Sequence, residues 1–125
     1  KECGLKISLK IVDKFEKSED RFIAFFDLDK ISFPLFIRKA KFGDRFIPLG
    51  MIESKKVQDF LTDLKVPKTV KWNIPILLDS KGDILWIIGL RISENYKVSE
   101  MTKRVLCIKI ELEDIRWIKI YKRFS

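Results

Sequence analysis

The sequence predicts a β-rich α+β fold in a single domain, mostly of antiparallel strands with one clear amphipathic helix at about 54–65. Three observations carry this. Apolar residues alternate with polar ones in several short runs. One stretch, SKKVQDFLTDLK, changes to the helical period. The DSKGD turn at 79–83 separates two apolar runs as a hairpin would. The 125 residues suffice for one domain with a real core, and 46% hydrophobic with 12% aromatic content favours folding over disorder.

Taken in order, Leu5, Ile7, Leu9 and Ile11 alternate with Lys6, Ser8 and Lys10, the pattern of a half-buried strand. RFIAFFDL, 21–28, is a second strand. ISFPLFIRK, 31–39, is an extended segment in which Pro34 demands an edge or a break. FGDRFIPLG, 42–50, is a loop with Gly43 and Gly50 as its flexible points. Val57, Phe60, Leu61 and Leu64 form one helical stripe, with Ser54 as expected N-cap and Pro67 as stop. Residues 68–73 add a short turn of helix. IPILL, 74–78, and ILWII, 84–88, are the hairpin strands. Residues 106–113 alternate again, and the tail IRWIKIYKRF is expected to form a last strand.

No apolar run approaches a membrane span, so no membrane contact is expected, and two cysteines far apart in sequence suggest reduced thiols in a cytoplasmic protein. The start at Lys1, without Met, suggests a processed chain or an excised segment. Cys3 and Cys107 are expected to be reduced thiols. The chain has no histidine, which removes the commonest general base and the Ser–His and Cys–His nucleophiles; no metal cluster is present. The carboxylates make no catalytic case, and neither a Gly-rich phosphate loop nor an SGG-type nucleotide motif occurs. No catalytic residue, metal ligand or cofactor is therefore expected in this chain.

The net charge of +8 is unevenly spread. Residues 1–37 balance, 38–71 carry a surplus of five, 72–102 are slightly acidic, and 103–125 carry a surplus of four. Two basic blocks suit a polyanion, although a Lys-rich solvated surface explains them equally well on charge alone. Lys55 and Lys56 are expected in the first helical turn, where the macrodipole disfavours cations and a phosphate would be welcome. Arg38, Lys39, Lys41 and Arg45 lie just upstream. Asp44 can orient Arg45 for a bidentate phosphate or base contact, or simply pin the loop. Arg91 follows a glycine at a strand end, a rim position. Among the tryptophans, Trp72 is the best stacking candidate.

The ordered series GDRFIPLG, SKKVQDFLTDLKVP, IPILLD, ILWIIGLRI and TKRVL resembles the C-terminal domain of tRNA(Ile)-lysidine synthetase over about residues 38–106. The resemblance implies Gly-Asp-Arg at Gly43, Asp44 and Arg45, the lysine pair at Lys55 and Lys56, and Asp-x-Lys-x-Pro at Asp63, Lys65 and Pro67. It further implies Gly-x-Arg at Gly89 and Arg91, and Thr-Lys-Arg at Thr102, Lys103 and Arg104. Where the family usually shows arginines before Ile-Pro, this chain has Lys71, Trp72 and Asn73; lysine keeps the charge but loses the planar fork.

The family's enzyme uses ATP to activate the wobble cytidine of an isoleucine tRNA and attaches lysine to it. The resemblance thus implies an accessory module that binds tRNA at the acceptor stem, beside an N-terminal catalytic domain that holds ATP and Mg. The family domain is an α+β module similar to one in phenylalanyl-tRNA synthetase. The RNA-binding set expected on these grounds is Arg38, Lys41, Arg45, Lys55, Lys56, Lys65, Lys71, Arg91, Lys103 and Arg104. The alternative is a basic protein-interaction or scaffold module, whose strand edges pair with another domain or with a second copy in a homodimer.

Overall fold

A computed structural model describes residues 4–124, so the expectation for Cys3 lies outside the described residues. Cys107 is a free, half-buried thiol. Among the described residues nine strands and three α-helices follow one another as β1 (Leu5–Val12), β2 (Ile23–Asp27), β3 (Phe36–Lys39), β4 (Arg45–Phe46), β5 (Lys55–Lys56), α1 (Val57–Asp63), α2 (Lys68–Lys71), β6 (Pro75–Leu78), β7 (Ile84–Ile87), β8 (Arg91–Ile92), β9 (Val105–Leu112) and α3 (Ile115–Lys122). Among the described residues no helix is long and apolar enough to cross a membrane.

The strands form a three-stranded sheet ordered β1-β9-β2, a four-stranded sheet ordered β3-β6-β7-β8, and a small β4-β5 ribbon, every pairing antiparallel. The register explains the alternation along the chain. Leu5, Ile7, Leu9 and Ile11 oppose Leu112, Ile110, Ile108 and Leu106, so one face of the first sheet is apolar throughout. The β6–β7 hairpin does not alternate, because all eight of its strand residues are buried. It lies between two cores. On one side Leu77, Leu85, Trp86 and Ile88 pack with Phe26, Leu106, Ile108 and Trp117. On the other, Ile76, Leu78, Ile84 and Ile87 pack with Val57, Phe60 and Leu61 of α1 and Val70 of α2. A strand buried on both faces reads as a continuous apolar run.

Pro34 lies just before β3, which is an edge strand, so the expected break falls there; the bond before Pro34 is cis. At the hairpin turn Gly82 has φ +87°, and the buried Asp79 carboxylate gathers the Ser32, Lys81 and Asp83 amides at 3.3, 3.0 and 3.2 Å.

Two expectations fail. The tail is a helix, α3, rather than a last strand. Trp117, Ile120, Tyr121 and Phe124 follow the spacing three, four, seven, and Asp114 caps the helix by accepting from the Arg116 amide at 2.8 Å. The short apolar alternation within IRWIKI masked that stripe. The central helix is also shorter than 54–65. Lys55 and Lys56 are strand β5, paired with Phe46 and Arg45, and Ser54 is not a cap. Pairing with β4, together with burial of Val57, outweighs helical extension by one more half-turn.

Gly89 ends the hairpin at φ +81° where side chains crowd the backbone. A Cβ there would lie 2.8 Å from a Phe22 ring carbon and 2.9 Å from one of Tyr121. Gly82 has the same backbone conformation and nothing within 4 Å. Gly82→Ala should therefore cost about 1–2 kcal/mol from strain alone, and Gly89→Ala about 1–3 kcal/mol more from overpacking. Thermal melts check the order; equal losses would mean that the Phe22–Tyr121 contact carries no constraint.

Candidate nucleic-acid interface

The FGDRFIPLG loop and the β4-β5 ribbon rest on one carboxylate. Asp44 binds Arg38 in two parallel hydrogen bonds of 3.0 Å each and accepts the Lys41 amide at 2.7 Å. Its own carbonyl accepts the Val57 amide at 2.9 Å, tying the loop to the start of α1. Burial pushes the Asp44 carboxyl up, but the Arg38 hydrogen bond, the Lys41 amide and both positive charges outweigh it, so its pKa is held below the ordinary 3.8. The expectation that Asp44 orients Arg45 is thus corrected: its partner is Arg38, whose place on β3 faces the loop.

Arg45 is held instead by Ser54. Its Nε donates to Ser54 Oγ at 2.9 Å and a terminal nitrogen to the Ser54 carbonyl at 3.4 Å. Arg45 and Lys56 are direct cross-strand partners, both exposed, and share one face of the ribbon. The opposite face carries Phe46, buried edge-to-face against Phe60 at 5.2 Å, and Lys55, which is ion-paired to Asp63. The anion site expected at the helix start is therefore absent in that form. The two lysines point to opposite faces of a ribbon, and the first amide of α1 is already taken by Asp44.

Arg91, on β8, lies with its guanidinium 5.3 Å from the Phe60 ring centre. Lys71 donates to Thr62 Oγ1 at 2.8 Å from the end of α2. Lys65 has φ +63° just beyond α1 and is exposed, its amide closing on the Thr62 carbonyl at 2.9 Å. Arg45, Lys55, Lys56, Lys65, Lys71 and Arg91 thus surround the α1 and β4-β5 unit, and Arg38 and Lys41 adjoin it through Asp44.

Lys103 and Arg104 immediately precede β9 of the three-stranded sheet, away from this unit. Arg104 is ion-paired to Asp29, and the Thr102 hydroxyl donates to Asp27 at 3.0 Å. Glu94 accepts the Gly50 amide at 2.9 Å and pairs with Lys97 at 2.6 Å, while Lys30 also acts on it electrostatically.

The cations sort by partner. Arg38, Lys55 and Arg104 face carboxylates and are neutralised locally. Arg45, Lys71 and Arg91 are held by a serine, a threonine and an aromatic ring, which fix them without cancelling their charge. Lys56 makes no ion pair among the described residues. Phe42, 82% exposed between Lys41 and Gly43, is an aromatic that sequence reasoning missed; Trp72, the expected platform, is 38% exposed. The neutral anchors Ser54, Phe60 and Thr62 were also missed, since nothing in the sequence marks a long-range partner of that kind.

Asp44→Asn should lower stability by about 1 kcal/mol at neutral pH, after allowance for solvent screening of the pair. Because the folded pKa is depressed, this contribution is present above the ordinary carboxylate value and is lost as pH falls through the folded one. Denaturant melts between pH 7 and about pH 2 should show the wild-type advantage closing in acid; a constant gap would contradict the ion pair.

Comparisons with known proteins bear on the family and the fold. The family model described as the TilS substrate C-terminal domain matches residues 35–112. The tRNA(Ile)-lysidine synthase of Clostridium tetani is 39% identical over 113 residues, 88% of this chain and 24% of that protein. Its counterpart in Dehalococcoides mccartyi is 41% identical over 95 residues, 76% and 20% respectively. One from Clostridium perfringens is 46% identical over 100 residues, 80% and 20%. The chain therefore spans a quarter or less of the length of these relatives.

Two solved structures share the fold. A crystal structure of a TilS C-terminal domain matches with a TM-score of 0.74 at 23% identity, covering 89% of this chain and 86% of that one. An N-terminal fragment of the phenylalanyl-tRNA synthetase β-subunit from Pyrococcus horikoshii matches with a TM-score of 0.66 at 20% identity, covering 95% and 45%. With the family match running from the β3 edge through β9 and including the whole α1 and β4-β5 unit, the chain belongs to the TilS substrate C-terminal domain family.

Proposed function

We propose that this chain is the tRNA-binding, substrate-positioning domain of a cytoplasmic tRNA(Ile)-lysidine synthase. The relatives carry that enzyme's name, and the module would hold the acceptor stem of an isoleucine tRNA. ATP and Mg would belong to a separate catalytic domain that attaches lysine to the wobble cytidine.

The observation that carries the reading is the set Arg45, Lys56, Lys71 and Arg91: cations arranged around one structural unit, positioned by neutral groups or left unpaired. Such charges are available to phosphates without first breaking an ion pair. Double-stranded RNA offers phosphates, 2′-hydroxyls and shape, which suit a diffuse cationic surface. A second reading, a protein contact, is favoured at the first sheet's edge strand β1, where Leu9 and Ile11 are 47% and 62% exposed. Gel filtration with and without tRNA distinguishes self-association through that edge from RNA binding.

Filter binding of an isoleucine tRNA across salt concentrations tests the proposal. Each phosphate neutralised contributes roughly −0.7 to −0.9 to the log–log slope. Arg45→Ala combined with Lys56→Ala should flatten the slope by roughly 1.4–1.8, with the melting temperature little changed. A wild-type affinity that does not respond to salt would contradict it.

A further inference from the structure

A second cationic surface lies away from the α1 and β4-β5 unit. A groove of about 540 Å³ separates α3 from α2 and the end of β3. Its walls carry Lys39, Arg116, Lys119 and Arg123, with Thr69 and Asn73 adding a hydroxyl and an amide, and no carboxylate lines it. Val70 and Ile120 give it an apolar floor.

The sequence builds this wall in a simple way. Arg116, Lys119 and Arg123 are spaced three and seven apart and share one face of α3, while Trp117 and Tyr121 bury the other. The Tyr121 hydroxyl donates to the Ile88 carbonyl at 2.5 Å and fixes the helix on the central sheet. Arg116 is anchored by Asp114, through contacts of 2.5 and 3.0 Å. Strong hydrogen bonding to Arg116 holds the Asp114 carboxyl down to about 2, so the pair stays ionised through the neutral range. Lys39, Lys119 and Arg123 make no ion pair among the described residues. The groove thus presents three uncompensated cations and one oriented guanidinium.

The groove joins the first surface through β3. Arg38 and Lys39 are consecutive on that edge strand, so they face opposite sides of it. Arg38 enters the Asp44 loop, and Lys39 lines the groove. One strand therefore adjoins both basic regions, with Lys39 on the groove and Arg38, closed on Asp44, on the loop.

We infer that the α2–α3 groove binds the phosphodiester backbone of the same RNA as the α1 and β4-β5 unit. The inference rests on the RNA-binding reading above. Phosphates meet Lys39, Lys119 and Arg123, while the apolar floor accepts a ribose edge. Thr69 and Asn73 supply the neutral hydrogen-bonding groups that a sugar-phosphate strand uses alongside cations. An acidic protein segment would satisfy the charge as well; RNA is favoured because Lys39 of the groove and Arg38 of the loop that presents Arg45 are consecutive on β3.

The 125-residue chain, its Lys119→Glu/Arg123→Glu variant and its Arg45→Glu/Lys56→Glu variant are titrated with an isoleucine tRNA and separately with polyglutamate. Circular dichroism melts check folding. Lys39→Glu, on the strand rather than the helix, provides the same test should the α3 variant unfold. The inference predicts that the groove pair weakens tRNA binding about tenfold or more and flattens the salt slope by roughly 1.4–1.8, and that Lys39→Glu weakens it several-fold. Groove variants that bind like wild type while the Arg45/Lys56 variant is weakened would overturn the inference and leave the RNA reading standing. Polyglutamate bound as tightly as tRNA, with equal loss in the groove variant, would also overturn it, in favour of an acidic protein partner. Absence of wild-type tRNA binding at low salt would remove the RNA reading and this inference together.

Discussion

The β6–β7 hairpin is the constraint on which the structure depends. Its strands are apolar on both faces, so they must be covered twice. The first sheet and α3 cover one side, and α1 and α2 the other. Full burial of a Leu- or Ile-sized side chain is worth about 1.5–3 kcal/mol, and six such residues beside Pro75 and Trp86 leave the hairpin no solvent-facing alternative. Everything of functional interest hangs on its second face or edge. Arg91 follows directly from the hairpin's end, Phe46 and Phe60 meet beneath the ribbon, and β3 carries Arg38 and Lys39 along the margin.

A basic surface alone says little about binding, because a lysine facing a carboxylate is already satisfied. What distinguishes Arg45, Lys71 and Arg91 is restraint by neutral groups. A serine hydroxyl, a threonine hydroxyl and an aromatic face each reduce the conformational freedom of a long side chain while leaving its field intact. Arg38 takes the opposite part. Its fork closes on Asp44 and organises the loop from which Arg45 emerges. The Asp–Arg step in the loop therefore divides labour between a structural carboxylate and a presented guanidinium.

Much of the fold was legible in the residues. Period-two runs gave β1 and β9, the double-faced apolar runs gave β6 and β7, and Gly82 marked their turn. The tail was misjudged because Ile115, Trp117, Ile118, Ile120 and Tyr121 satisfy both periods over so short a span, and only Phe124 and the Asp114 cap favour the helix. Lys55 and Lys56 were placed in a helical turn because their β4 partners, Phe46 and Arg45, lie nine and eleven residues upstream across a loop, where local propensity carries no information. The candidate site followed the same division. The cations could be named from sequence, but their partners could not. Arg45 with Ser54, Arg91 with Phe60 and Arg104 with Asp29 are long-range contacts, and the groove between α2 and α3 exists only once the tail is helical.

Lysine footprinting tests most directly the claim that unpaired or neutrally held cations of the α1 and β4-β5 unit meet the RNA. Amine acetylation is read by mass spectrometry with and without an isoleucine tRNA, at constant ionic strength. Lys56 and Lys71 should be protected by the RNA, while Lys6 and Lys10, exposed on the first sheet's edge strand, should react as before. Protection spread evenly over all four lysines, or confined to Lys6 and Lys10, would contradict the account.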